Sequence, residues 1–142
     1  MIEQRLSLVT LGVADLARSR AFYAALGWRE VEPRHEGVAF FQLNGIGLAL
    51  FPAEELAKDA GLPPDGAGFR GWSLAQNMTS EPEVDRVFAE MVAAGAKPIK
   101  QPQRVFWGGY SCYVADPDGH LWELAHNPGL LPDADGNVSF AG

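Results

Sequence analysis

The sequence predicts an α+β fold built from two βαβββ modules. Each half begins with a short apolar, β-compatible segment, continues with an amphipathic helical pattern, and ends with three short strand patterns. A turn signal precedes the last strand of each half, at Gly45 and at Gly119, and the same offset separates Ala49 from Glu123. This internal register places Ala49 and Glu123 at corresponding positions on corresponding strands.

The first module is predicted to span about residues 5–51. Asp15 precedes an amphipathic segment as an N-cap residue, and Gly27 follows that segment as a residue that tolerates positive φ. Residues 52–68 are rich in proline and glycine and are predicted to form a linker with one helical turn around 54–58. The remaining elements are a strand over 6–13, a helix over 16–26, and strands over 28–32, 38–43 and 47–51.

The second module is predicted to span about residues 69–126, with a tail over 127–142. Ser80 and Glu83 have the spacing of a capping box at the start of a helix, and Gly95 follows that helix. Residues 116–119, Asp-Pro-Asp-Gly, are typical of a tight turn. The predicted strands cover residues 69–75, 98–105, 109–115 and 121–126. The length fits a single domain over residues 1–142.

Composition restricts the partners. The net charge of −7 disfavours binding to a phosphate backbone, so nucleic acid is not an expected partner. No apolar run approaches the roughly 20 residues that cross a bilayer, so no membrane association is expected. The one cysteine, Cys112, forms no internal disulfide, and residues 1–5 lack the pattern of a signal peptide. We therefore expect a cytoplasmic protein.

Three stretches carry a resemblance to a known family. They are residues 8–19 with Phe22-Tyr23 and Leu26-Gly27-Trp28, residues 83–85 leading to 94–96, and residues 115–124, Ala-Asp-Pro-Asp-Gly-His-Leu-Trp-Glu-Leu. Together they resemble the vicinal-oxygen-chelate superfamily of glyoxalase I, bleomycin-resistance proteins, fosfomycin-resistance enzymes and extradiol dioxygenases. The resemblance implies that the modules form a curved mixed sheet, or half-barrels, around a central cavity that holds a small molecule. It also implies a homodimer.

The resemblance further implies four metal-ligand positions, on the first and fourth strands of each module. In this sequence they correspond to Leu8, Ala49, a residue within 71–73, and Glu123. A catalytic divalent ion needs about three donors from His, Cys, Asp or Glu, and only Glu123 is one. We therefore predict no complete metal site and no cofactor. The alternative is a divalent metal such as Zn, Ni, Mn or Fe, bound through ligands outside these positions.

Glu123 is the candidate catalytic residue, because a carboxylate on a strand with apolar neighbours can act as a general acid or base. Its alternative role is structural, as a carboxylate hydrogen-bonded to polar groups of the barrel or partly exposed at its mouth. The candidate ligand-binding residues are aromatic: Trp72, Phe106, Trp107 and Tyr110. Their alternative role is ordinary burial in the core or a dimer interface.

Two functions of different classes follow. One is a metal-free module that binds a small aromatic or cationic compound, as bleomycin-resistance proteins do. The other is an enzyme, either metal-free with Glu123 as acid or base, or a metal-dependent lyase, isomerase or dioxygenase. A third possibility is a structural dimer whose cavity is filled by side chains.

Overall fold

The computed structural model describes residues 1–2 and 4–140 and divides into two compact units, Met1–Gly68 and Phe69–Gly142. Each unit contains one mixed sheet, so the predicted α+β class with mixed sheets is confirmed. The elements are β1 (Leu8–Val13), α1 (Leu16–Ala25), β2 (Ala39–Gln42), β3 (Gly47–Pro52), α2 (Ala53–Ala60), β4 (Leu74–Asn77), α3 (Glu81–Ala93), β5 (Lys97–Arg104), β6 (Tyr110–Ala115) and β7 (Leu121–His126).

The first unit has a three-stranded sheet in the order β1-β3-β2, with β1 parallel and β2 antiparallel to β3. Leu11, Leu50 and Phe41 share the sheet face that α1 covers, and each is almost completely buried. The ring of Tyr23 on α1 packs against Phe41 with centroids 5.9 Å apart. Helix α1 begins as predicted, because the Asp15 carboxylate accepts a hydrogen bond from the backbone N–H of Arg18.

The predicted strand over residues 28–32 does not form. Glu30 makes one isolated bridge to Phe41, and the flanking residues follow an irregular path. The Val31 N–H still donates to the carbonyl of Phe40, but Pro33 has no N–H with which to continue the ladder. The first module is therefore βαββ among the described residues. The linker was predicted to contain a single helical turn around residues 54–58, but the helix is longer. Helix α2 runs over Ala53–Ala60 and ends at Gly61, which has φ of 72°.

The second unit has a four-stranded sheet in the order β4-β7-β6-β5. Its predicted βαβββ order is confirmed. Ser80 caps α3 by accepting a hydrogen bond from the Glu83 N–H, but the Glu83 carboxylate accepts from the N–H and hydroxyl of Thr79 instead of completing a capping box. These hydrogen bonds lower the pKa of Glu83.

Strand β4 begins later than the predicted strand over residues 69–75. Gly68 and Gly71 have φ of 72° and 85°, a backbone conformation that strands do not adopt, so the extended segment starts only at Leu74. No helix among the described residues has the length and apolar content needed to cross a bilayer.

Candidate functional site

The strand pairings of the two units correspond, and this correspondence identifies the residue at the third of the four metal-ligand positions that the family resemblance implies. Thr10 pairs with Ala49 in the first sheet, and Ala75 pairs with Glu123 in the second, both in parallel registers. Because Ala49 and Glu123 correspond, Thr10 corresponds to Ala75. Leu8 lies two residues before Thr10, so its counterpart in the second unit is Ser73, within the predicted range.

The four family positions are thus Leu8, Ala49, Ser73 and Glu123. Two of these side chains are hydrocarbon, and one is a neutral hydroxyl that ranks below His, Cys and carboxylate as a metal donor. Within residues 1–2 and 4–140, no three His, Cys, Asp or Glu side chains come together in a way that could hold a metal ion. The residues present at these positions do not fit a resident divalent cation.

Glu123 has a specific partner, the phenol of Tyr113. The two residues are direct cross-strand partners on β7 and β6, so the phenol and the carboxylate lie side by side on one sheet face. Burial, followed by the charge of Glu123, raises the pKa of Tyr113. Both side chains are half-buried, so the pair is shielded in part while remaining open to solvent.

This pair lies on the sheet face opposite α3. The register aligns Lys100, Tyr113, Glu123 and Ala75 in one row across all four strands. The adjoining row contains Ser111, buried, and Asn77, whose amide donates to the carbonyl of Leu130 at 3.2 Å. We call this surface, made by residues 75, 77, 100, 111, 113 and 123, the Glu123 face. It combines donors, acceptors and one aromatic ring.

Tyr113 was not among the sequence-predicted site residues. The alternation of Tyr110, Cys112 and Val114 with Ser111 and Tyr113 shows that two sets face opposite ways, but it does not say which set faces Glu123. The signal that resolves this is the pairing of β6 with β7. That pairing is a tertiary property, since it depends on which residue of one strand stands opposite Glu123.

Tyr110 lies on the other face of the same sheet. Its hydroxyl donates to the Asp85 carboxylate of α3 at 2.7 Å. This hydrogen bond, with smaller contributions from burial and the Asp85 charge, raises the pKa of Tyr110 to about 12. Cys112 shares that face and is fully buried, and burial raises the pKa of its thiol to about 11. The structure does not bring Tyr110 to Glu123.

The other predicted aromatic residues occupy two further places. Phe106 and Trp107 form the tip of the β5–β6 hairpin, where the Val105 N–H donates to the carbonyl of Gly109. Phe106 is fully exposed, whereas the Trp107 ring folds over Gly109, so a Cβ at Gly109 would stand 1.8 Å from that ring. Trp72 precedes β4 and packs against His120, with ring centroids 5.4 Å apart.

The histidines are engaged in local contacts. His126 Nδ1 lies 3.1 Å from the carbonyl of Met78, and His35 packs edge-on against Phe40 with centroids 5.7 Å apart. His120 packs against Trp72. Each of these three contacts is with a group that is not a metal-ligating side chain.

A βαββ unit and a βαβββ unit with corresponding registers, and an acid on the last strand of the second, define a protein of the glyoxalase fold class. The family model for the Glyoxalase/Bleomycin resistance protein/Dioxygenase superfamily matches residues 5–124, and the chain belongs to that superfamily.

Three relatives place the chain within this superfamily. It is 29% identical over 133 residues to a metallothiol transferase FosB from Lysinibacillus sphaericus, covering 94% of this chain and 88% of the relative. A crystal structure of a glyoxalase-related enzyme from Fulvimarina pelagi is 38% identical, with a TM-score of 0.89, covering 99% of this chain and all of that one. A lactoylglutathione lyase structure from Agrobacterium tumefaciens is 26% identical, with a TM-score of 0.65, covering 89% and 96% of the two chains.

Proposed function

We propose that this protein binds a small aromatic or cationic molecule on the Glu123 face and does so without a resident metal ion. The observation that carries the proposal is the cross-strand pairing of Tyr113 with Glu123 on the sheet face opposite α3. It places a half-buried carboxylate beside a phenol ring at the one family position that retains an acid.

The hydrogen-bonding capacity of Glu123 supports this choice of ligand. An ionised carboxylate offers about four lone-pair sites for hydrogen-bond donors. These sites suit an ammonium, amidinium or N–H group, and charge-assisted hydrogen bonds of this kind are the stronger class. The ring of Tyr113 provides a flat apolar surface beside the acid, and the net charge of −7 attracts cations over a longer range.

The second candidate is a metal-free enzyme in which Glu123 acts as general base. The same pair supports it, because a half-buried carboxylate on an open sheet face can accept a proton from a bound substrate. The names of the relatives, a metallothiol transferase and a lactoylglutathione lyase, favour an enzyme over a carrier. Leu8 and Ala49 supply no donor atoms at the family's metal-ligand positions, so the enzyme candidate is a metal-free one.

The test compares binding of benzylamine and of uncharged benzyl alcohol by isothermal titration calorimetry. The proposal expects benzylamine to bind at least about tenfold more tightly, and Glu123→Gln to remove most of that difference. The matched control is Glu90→Gln, which removes one exposed carboxylate from α3, on the other side of the sheet. Equal affinity for both probes, or an effect of Glu90→Gln as large as that of Glu123→Gln, would refute cation recognition by this face.

The metal-free part of the proposal is tested by elemental analysis of the protein purified without chelators. Less than about 0.1 equivalent of Zn, Ni, Mn or Fe per chain is expected. A stoichiometric ion that survives dialysis would refute it.

The proposal also includes a homodimer acting in the cytoplasm. The fully exposed ring of Phe106 and the 73% exposed ring of Phe69 favour self-association, and a free thiol at Cys112 suits a reducing compartment. Light scattering should give twice the chain mass of 15.3 kDa, and a monomer mass at micromolar concentration would contradict the dimer.

A further inference from the structure

A pocket of about 370 Å³ opens in the first unit, between α1 and the irregular segment that follows it. This volume lies at the small end of the range for ligand sites. Phe41 lines the pocket and points to the α1 side of its sheet, so the pocket is on the opposite face from Ala49. It is therefore separate from the family positions of this unit.

The apolar wall of the pocket is preformed. Trp28 lines it, and the Trp28 ring packs against Tyr23 and Phe41 with centroids 5.5 Å and 6.0 Å away. Ala24, near the end of α1, lines the pocket with only a methyl group. A flat ring can therefore lie against the indole without rearrangement of the core.

The polar wall contains a fixed ion pair. Arg20 binds Glu30 through two nitrogens, Nε to Oε1 at 3.0 Å and Nη2 to Oε2 at 3.1 Å. Nη2 also donates to the carbonyls of His35 and Val38. Arg20 is thus committed to holding the segment onto α1, and Glu30, with its side chain only 11% exposed, is neutralised.

The remaining charges leave an excess of positive charge in the pocket. Arg34 contacts Glu30 only through Nε, at 3.1 Å, and its side chain is 55% exposed. Among the described residues its terminal nitrogens have no further partner. Arg29 and Glu32 also line the pocket, so three guanidinium groups face two carboxylates. This local excess of one positive charge occurs in a chain whose net charge is −7.

We propose that this pocket is a second binding site, specific for a small aromatic monocarboxylate. The ring lies against Trp28, and the carboxylate is bound by Arg34 and Arg29, since a guanidinium fork matches a carboxylate in shape and charge. One excess positive charge matches a monoanion. A phosphate monoester, with a charge of about −1.5 to −2, would exceed it and would meet the carboxylate of Glu32.

The experiment follows the indole N–H signals of the four tryptophans by NMR during titration with benzoate. The Trp28 signal is assigned with Trp28→Phe. Benzoate is expected to shift the Trp28 signal saturably, uncharged benzamide to bind at least about tenfold more weakly, and phenyl phosphate to bind more weakly than benzoate. An unchanged Trp28 signal at saturating benzoate, or equal affinity for benzamide, would overturn the proposal. Tighter binding of phenyl phosphate would also overturn the assignment to a carboxylate.

Two variants test the two walls independently. Arg34→Gln removes one guanidinium while Arg20 still holds Glu30, and it should weaken benzoate binding about fivefold or more. Ala24→Leu adds bulk at an exposed helical position that leucine suits, and it should block the pocket without unfolding α1. Arg104→Gln, at a side chain that is 84% exposed in the second unit, is the matched control and should bind like the wild type.

Wild-type affinity in both pocket variants would refute the site. Glu123→Gln should leave benzoate binding unchanged, so a failure of this inference is distinguishable from a failure of the proposed function.

Discussion

Tyr113 stands directly opposite Glu123 across β6 and β7, on the sheet face opposite α3. The equivalent pair in the first unit is Phe40 opposite Ala49, which contains no polar group. The two sheets thus differ at these corresponding positions. The pair in the second unit has a phenol and a carboxylate, whereas the pair in the first unit has no polar side chain.

Removing the Tyr113 hydroxyl should reduce stability modestly. Tyr113→Phe deletes a half-buried hydroxyl beside the Glu123 carboxylate, and we expect a loss of about 1 kcal/mol in the free energy of unfolding. In urea denaturation, the midpoint should fall with an unchanged slope. Because the pair also forms the proposed binding face, the same variant should weaken benzylamine binding. Unchanged stability and unchanged binding together would show that the hydroxyl serves neither the fold nor the ligand.

The Tyr110–Asp85 hydrogen bond should make stability dependent on alkaline pH. A tyrosine whose pKa rises from 10.0 in the unfolded chain to about 12 in the fold stabilises the fold fully below pH 10. That contribution is lost as the pH rises through about 12. The stability difference between wild type and Tyr110→Phe should therefore shrink between pH 10 and pH 12. A difference that stays constant over this range would show that Tyr110 titrates normally.

Gly109 should be intolerant of a side chain because of Trp107. A methyl group there meets the indole at 1.8 Å, so Gly109→Ala should expel the ring, cost about 1 kcal/mol, and shift tryptophan fluorescence to the red. In a Trp107→Ala background the cost of Gly109→Ala should fall below about 0.5 kcal/mol, as measured by a double-mutant cycle. An equal loss of stability in both backgrounds would show that Gly109→Ala strains the backbone and does not act through the Trp107 ring.

Arg20 should not be replaceable by lysine. Lysine cannot bind both oxygens of Glu30 while also reaching the carbonyl of Val38, so Arg20→Lys should cost about 1–3 kcal/mol. Arg86→Lys, at an exposed i,i+4 pair on α3, should cost less than about 0.5 kcal/mol and serves as the control. Similar losses of thermal stability in both variants would contradict a structural role for Arg20.

Much of the fold is predictable from local sequence. Asp15 and Ser80 mark helix starts because their side chains bind N–H groups that the helix leaves unpaired. The register of Ala49 with Glu123 follows from the internal repeat, because the turn glycines precede matching strands. These signals are local or repeat along the chain, so they can be recognised without knowledge of the tertiary contacts.

Sequence and structure differ at one predicted strand and in the neighbours of two tyrosines. Residues 28–32 were predicted to form a strand, but pairing with β2 stops after Glu30 and Val31, because Pro33 has no N–H to continue the ladder. The sequence did not identify Tyr113 as the neighbour of Glu123, because that pairing depends on how two strands align. The ligand-binding role of Tyr110 stays a prediction, and the structure shows that its hydroxyl donates to Asp85 of α3.

The most direct test of the central claim is Glu123→Gln, measured for both unfolding and benzylamine binding. Glutamine keeps the size of glutamate and one acceptor oxygen opposite Tyr113, so the free energy of unfolding should change by less than about 1 kcal/mol. Benzylamine affinity should fall about tenfold or more, because the negative charge is lost. A variant that unfolds at much lower denaturant but binds benzylamine as the wild type does would show that Glu123 serves the fold and not the ligand.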